Sequence, residues 1–340
     1  MGVICCAKGD FLESSMVFFG KVGSFPGVSS LGKIFLYAFL VLLGGALVAP
    51  WAWLLIQQLP ADFLHGLIGS VQRMPFHRYL SRSIQVAGII LLWPLLHTLH
   101  VRSLEELGLF SSHRKMRDLF VGLIAGIPSA LLLVVVTLES GAFDLHFTWS
   151  LSIIYKITMT ALVVAIMEEF LFRGVILGFL RQFLARWIAI AVSALLFAAL
   201  HFLNLPSSGK ENIPPHWWSG LSALASLGEG LPAWPLLGWA FGTLFVAGLL
   251  LAWLTTRTGS LWASIGLHFS WVFAQQFFNS IARYPDLPSG AFLPLVGPAQ
   301  CHGAVPIGLV PLFCLLLAGG IAALLLRKCP WPRLYTRVSL

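Results

Sequence analysis

Charged side chains are scarce in this chain. Asp, Glu, Lys and Arg make up 10% of its 340 residues, against 58% hydrophobic, where a soluble domain carries about 25% charge. So few charges can neither cover a globular surface of this size nor keep a chain unfolded, which excludes a water-soluble enzyme and a disordered protein. Cysteine is sparse as well, with 5 in the chain, so no disulfide framework carries the fold. Basic clusters large enough for nucleic acid are missing. No internal repeat is visible, and matched half-repeats are what transporters are built on. The modest apolar stretch from Met16 to Phe25 is broken by Lys21 and has no small-residue cleavage site, so it does not read as a signal peptide.

What is present is a succession of long apolar runs, near residues 34–58, 84–101, 119–138, 149–180, 186–204, 236–256, 260–281 and 306–326. At ~20 residues per crossing, they predict an all-α, polytopic transmembrane helical bundle of about eight spans. The second run holds Pro94 and His97 and reads as short or tilted. The formal charge is +8. With eight spans, Lys8, Lys21, Lys33, Arg102, Arg114, Lys115, Arg117, Arg181, Arg186, Arg257, Arg327, Lys328, Arg333 and Arg337 fall on one side. Arg73, Arg78, Arg82, Lys210 and Arg283 fall on the other. Basic residues gather in cytoplasmic loops, so both termini are expected in the cytoplasm. The Pro-rich stretch 205–235 reads as an external loop with an interfacial piece around Trp217 and Trp218, and 284–305 reads as a second irregular segment. Glycine pairs at Gly122/Gly126, Gly174/Gly178 and Gly238/Gly242 are candidate sites of close helix approach.

An ionisable residue inside a span is costly and marks a functional site by default. Glu168 and Glu169 adjoin in the fourth run, about 100° apart around a helix axis. Arg173 lies four residues beyond Glu169, on the same face, so those two are expected to pair and leave Glu168 turned toward another part of the bundle. His201 closes the fifth run. His268 lies in the seventh, with Val272, Gln275 and Asn279 on roughly its own face. Because the runs alternate in direction, Glu168 late in its helix and His201 near the outer end of the next would be offset in depth, unless Glu168 is near the middle of a helix extending to about Leu180 and the next helix starts early. The depth match is expected to be approximate. One carboxylate and two imidazoles meeting in a wet cavity suit hydrolysis. The carboxylate can take a proton from water, and the rings can orient that water, stabilise an oxyanion or bind zinc.

These residues also form a familiar order. Glu168-Glu169-Phe-Leu-Phe-Arg173 matches EExxxR, Phe197-Ala-Ala-Leu-His201 matches FxxxH, and Ser260-Leu-Trp262 through His268 resembles the approach to HxxxN. The run Leu107-Gly108-Leu109, with Asp118 and Gly122 beyond it, fits the same pattern. Together they resemble the CAAX-protease and bacteriocin-processing family of intramembrane proteases over roughly residues 82–280. The third motif departs: its Asn falls at Val272, and Gln275 or Asn279 is the available substitute.

The resemblance implies an intramembrane endopeptidase that hydrolyses a peptide bond of a membrane-associated protein or peptide. Glu168, Glu169, Arg173, His201 and His268 are its expected site residues. Glu168 would be the general base and His201 would help hold the water. His268 would stabilise the oxyanion, while Glu169 and Arg173 set the geometry. Glu168, His201 and His268 are also the set that a zinc ion would take, but with no HExxH in the chain, a glutamate-activated water ranks ahead of a metal. The division expected is 1–81 for an N-terminal segment with the first transmembrane helix, 82–281 for the CAAX-protease-like membrane core, and 282–340 for an irregular loop and C-terminal helix. The bacterial plasma membrane is the expected location, with the lipid bilayer and a membrane-associated substrate as partners and no nucleic acid. The alternative is a non-catalytic membrane binding or immunity protein on the same scaffold, which Val272 favours.

Overall fold

A computed structural model describes residues 30–62, 67–99, 114–139, 144–145, 150–202, 214–226, 234–283, 295, 297–299 and 305–327. The Leu107-Gly108-Leu109 run and most of the stretches 205–235 and 284–305 lie outside them. The described chain is a helical bundle: α1 (Ser30–Gln57), α2 (Leu67–Gln72), α3 (Phe76–Thr98), α4 (Lys115–Glu139) and α5 (Leu151–Glu169), then a π-helix (Phe170–Ile176). It continues with α6 (Leu177–Phe183), α7 (Arg186–Leu200), α8 (Ser219–Ala225), α9 (Trp234–Thr258), α10 (Trp262–Ile281) and α11 (Leu309–Leu326). Two short antiparallel ladders join loop segments, β1 (Asp144–Leu145) with β2 (Ala282–Arg283) and β3 (Gly297–Ala299) with β4 (Val305–Ile307).

Five described helices, α1, α3, α4, α9 and α11, are long and apolar enough to cross a membrane. Their outer faces carry large apolar side chains such as Phe39, Ile90, Trp93, Phe120 and Leu131, all exposed, as lipid contact requires. The helices bearing Glu168, His201 and His268 are not among those five. At 15 residues, α7 is short for a hydrocarbon core. The second expected run begins earlier than its composition indicated: α3 starts at Phe76 and passes through Pro94. Its first turns carry Arg78 and Arg82, whose charge reads as loop in a hydropathy scan.

The core sits where α4, α9, α10 and α11 meet around Val121, Leu251, Leu254, Leu267 and Ala322. Small residues let α4 and α10 touch. A Cβ on Gly122 would collide with the Ala263 carbonyl oxygen, and one on Gly266 would lie 2.5 Å from that of Leu119. Gly126 faces Ser270 in the same way. The expected Gly238/Gly242 approach is not made among the described residues: a Cβ on either meets none of their atoms within 4 Å, and the same is true of Gly178. Gly122→Ala is therefore expected to lower the thermal midpoint, because a backbone oxygen cannot rotate away and overpacking costs about 1–3 kcal/mol. Gly238→Ala should be neutral or slightly stabilising, and equal midpoints for the two variants would contradict this crossing.

The turn between α9 and α10 is equally specific. Gly259 adopts φ 69°, a left-handed conformation that ends α9 at little steric cost, and its N–H donates to the Thr255 carbonyl at 2.8 Å. Thr255 Oγ1 then donates to Ser264 Oγ at 2.9 Å. Arg257 donates to the Leu326 carbonyl at 2.8 Å, tying the end of α9 to the last turn of α11. The start of α10, and with it His268, is thereby fixed against the core.

Candidate active site

Four elements, α5, the π-helix, α7 and α10, bring the ionisable residues together. Glu168 and Glu169 close α5, and the chain then widens into the π-helix that carries Arg173. Such widening is rare and is found mostly at functional sites. The expected Glu169–Arg173 ion pair is present at 3.0 Å, with the two side chains 0% and 1% exposed. Arg173 also reaches the Gly248 carbonyl of α9 at 3.4 Å. Its guanidinium lies 4.3 Å from the centroid of the Phe197 ring, a cation–π contact that offsets part of the burial cost of the charge. The first residue of the Phe197–His201 stretch thus seats the arginine, a role the motif spacing did not disclose.

Glu168 and His201 lie level because the helical segment continues past Glu168, the arrangement that relieves an offset in depth. From Glu168 the chain descends 15 residues to Phe183, turns, and climbs another 15 from Arg186 to His201. The two legs are about equally long, ~22 Å at 1.5 Å per residue, so His201 returns to the level of Glu168. His201 Nε2 stands 3.8 Å from Glu168 Oε2, and His268 Nε2 stands 3.8 Å from the same oxygen. All five expected residues therefore meet.

The hydrogen bonds fix the rings. His201 Nδ1 lies 2.7 Å from the Phe197 carbonyl, which can only accept, so Nδ1 carries the proton and a neutral ring presents the Nε2 lone pair toward Glu168. His268 Nδ1 donates to Glu169 Oε1 at 2.7 Å. Sequence spacing pairs Glu169 with Arg173 alone, but the same carboxylate oxygen holds both partners. A carboxylate behind Nδ1 orients an imidazole and stabilises its protonated form. Glu168 is different: among the described residues its Oε2 is buried without a hydrogen-bond partner, while its side chain as a whole is 30% exposed. Separations of 3.8 Å exceed a direct hydrogen bond and leave a gap that both rings border.

That gap opens into a cavity of about 290 Å³, lined by Glu168, His201 and His268 together with Phe197, Trp271, Val272 and Gln275. Most of the remaining wall is apolar, from Ala130 and Leu133 of α4 to Leu250 and Leu315. Val272 occupies the wall where the motif has Asn. Gln275 lines the cavity, whereas Asn279 is not among its lining residues. Gln276, Thr137, Thr243 and Trp271 also line it, and nothing in the sequence pattern singled these out.

The donor types of Glu168, His201 and His268 are those of catalytic zinc sites. Their arrangement is not: among the described residues, no group of three His, Cys, Asp or Glu side chains could hold a metal ion. The residues do not fit a resident metal as they stand, and the chemistry is derived from the carboxylates and the rings.

Residues 149–274 match the family described as type II CAAX prenyl endopeptidase Rce1-like. The match lies within the 82–281 core and includes Glu168, Glu169, Arg173, His201 and His268. No curated protein and no solved structure matches the chain. Over that stretch the chain is similar to CAAX-protease-type domains, and its apolar helices form a polytopic, membrane-integral helical bundle.

Proposed function

We propose that the protein is an intramembrane endopeptidase that cleaves a membrane-associated peptide or protein with a water activated by Glu168. The observation that carries this reading is the meeting of Glu168 Oε2 with two imidazole Nε2 atoms, each at 3.8 Å, on the wall of a largely apolar cavity. A water in the gap would donate one proton toward Glu168 and the other toward the His201 lone pair. Its oxygen would attack the scissile carbonyl carbon as Glu168 takes the first proton. The oxyanion would be met by the Nε2–H of His268 in its protonated form, sustained by Glu169 behind Nδ1. Glu168 would then pass its proton to the leaving nitrogen, releasing a new carboxyl and a new amine. His268 can serve the oxyanion only as an imidazolium, since its neutral Nδ1–H is already committed to Glu169. The basic-residue bias further supports both termini in the cytoplasm.

The purified protein in liposomes, given a panel of membrane-anchored peptides in ¹⁸O-water, is expected to produce new C-termini that carry ¹⁸O. His201→Ala should abolish them. Products lacking the label, or equal yield from the variant, would contradict the scheme.

The second reading, a binding or immunity protein, is favoured by Val272, an apolar side chain in the cavity wall where the motif supplies an amide. Val272→Asn separates the two. In a working protease the restored amide should preserve or raise turnover, since a well-aimed donor is worth roughly 2.7–4 kcal/mol in a known oxyanion hole. No cleavage by either form would favour the binder.

A further inference from the structure

A second cavity, of about 490 Å³, lies between α1 and α3 and shares no lining residue with the first. Its α1 wall is Gly44, Val48, Ala52 and Ile56, one residue per turn, a stripe about 18 Å long. Apolar side chains of α3, among them Val86 and Ile90, form the opposite wall. Val48, Val86 and Ile90 are 54%, 54% and 65% exposed, so the groove opens to the surface that a bilayer covers. The stripe has room. A Cβ on Gly44 meets no atom of the described residues within 4 Å, whereas the neighbouring Gly45 is filled by Ile84 at 2.5 Å.

The groove is also bordered by Arg78 and Arg82, one helical turn apart and both exposed. Arg82 donates to Gln85 Oε1 at 2.8 Å. Among the described residues, no carboxylate forms an ion pair with either guanidinium. Two like charges at this spacing repel, and cations at the edge of a span call for an anionic partner. Guanidinium groups are matched to phosphate by their forked donors. An apolar groove bordered by paired arginines fits a molecule with a hydrocarbon tail and a net negative phosphate head.

We propose that the α1–α3 groove seats one anionic phospholipid, with an acyl chain along Gly44–Ile56 and its phosphate on Arg78 and Arg82. Free phosphate would meet the arginines but leave the apolar stripe empty. A zwitterionic lipid would fill the stripe but bring a cation to two cations.

Native mass spectrometry of the full chain in detergent, with equal phosphatidylglycerol and phosphatidylcholine of identical chains, tests this. The wild type should retain one phosphatidylglycerol with at least a tenfold preference, and excess inorganic phosphate should not displace it. Arg78→Gln/Arg82→Gln should bring the preference close to unity. Gly44→Leu should lower occupancy by both lipids at least tenfold with an unchanged thermal midpoint, and Ala52→Leu serves the same purpose if that variant expresses poorly. Equal retention of the two lipids by the wild type would overturn the proposal. So would displacement by inorganic phosphate, or a preference unaltered in the double variant.

Discussion

Glu168→Gln is expected to lose at least ~10²-fold in turnover with little change in thermal midpoint. The substitution removes the base while keeping the shape and most of the hydrogen-bonding capacity of the side chain. Structural damage should be small because Glu168 makes no contact shorter than 3.8 Å to its imidazole neighbours and its side chain is 30% exposed. Cleavage at the wild-type rate, measured on the same peptide, would remove the central claim and leave the binding reading ahead. Metal analysis of the same preparations adds a second axis. Active wild type free of bound metal supports the glutamate-activated water, and stoichiometric zinc that is lost in His201→Ala would move the mechanism to a metal.

Arg173→Ala should act on the fold as much as on the rate. It leaves Glu169, 0% exposed, with His268 as its remaining charged or imidazole partner, and breaking a buried pair costs about 3–5 kcal/mol. It also strips the cation from the Phe197 ring and the donor from the Gly248 carbonyl, so α5, α7 and α9 lose a common tie. The expected result is a low folded yield in detergent and a lowered unfolding midpoint, with activity lost in what remains. Glu169→Gln should cause similar damage by stranding Arg173. It should also free the His268 ring from its Nδ1 partner. Normal stability of Arg173→Ala would mean that the guanidinium is not paid for by Glu169, and the positioning role given to the pair would fall with it.

Much of this site could be read along the chain. Helical spacing alone pairs Glu169 with Arg173 and turns Glu168 away, because both relations lie within one turn. The apolar runs are legible for the same reason: a span must satisfy its backbone internally, so composition and length mark it. The three ordered motifs carried Glu168, His201 and His268 together, although separated by up to 100 residues, on the strength of resemblance. Local pattern could not do so, and it left the depth match between Glu168 and His201 approximate, to be relieved by a helix extending to about Leu180. The chain does run on through the π-helix and α6 to Phe183, which equalises the two legs.

The tertiary structure alone decided the rest. Which glycines work depends on what faces them: Gly122 meets a backbone oxygen, while Gly238 and Gly242, with the same spacing, face no atom of the described residues. The double use of Glu169 Oε1, by Arg173 in its own segment and by His268 99 residues away, arises only where α10 packs against α5. That packing depends on Gly122 and Gly266 drawing α10 onto α4. The sequence by itself determined the membrane environment, the helical class and which spans carry ionisable residues, because hydrophobic length and charge cost are local quantities. Where those charges meet, which ring faces which oxygen, and which apolar wall is left open are non-local. They follow from helix lengths, turn geometry and close contacts that no single segment contains.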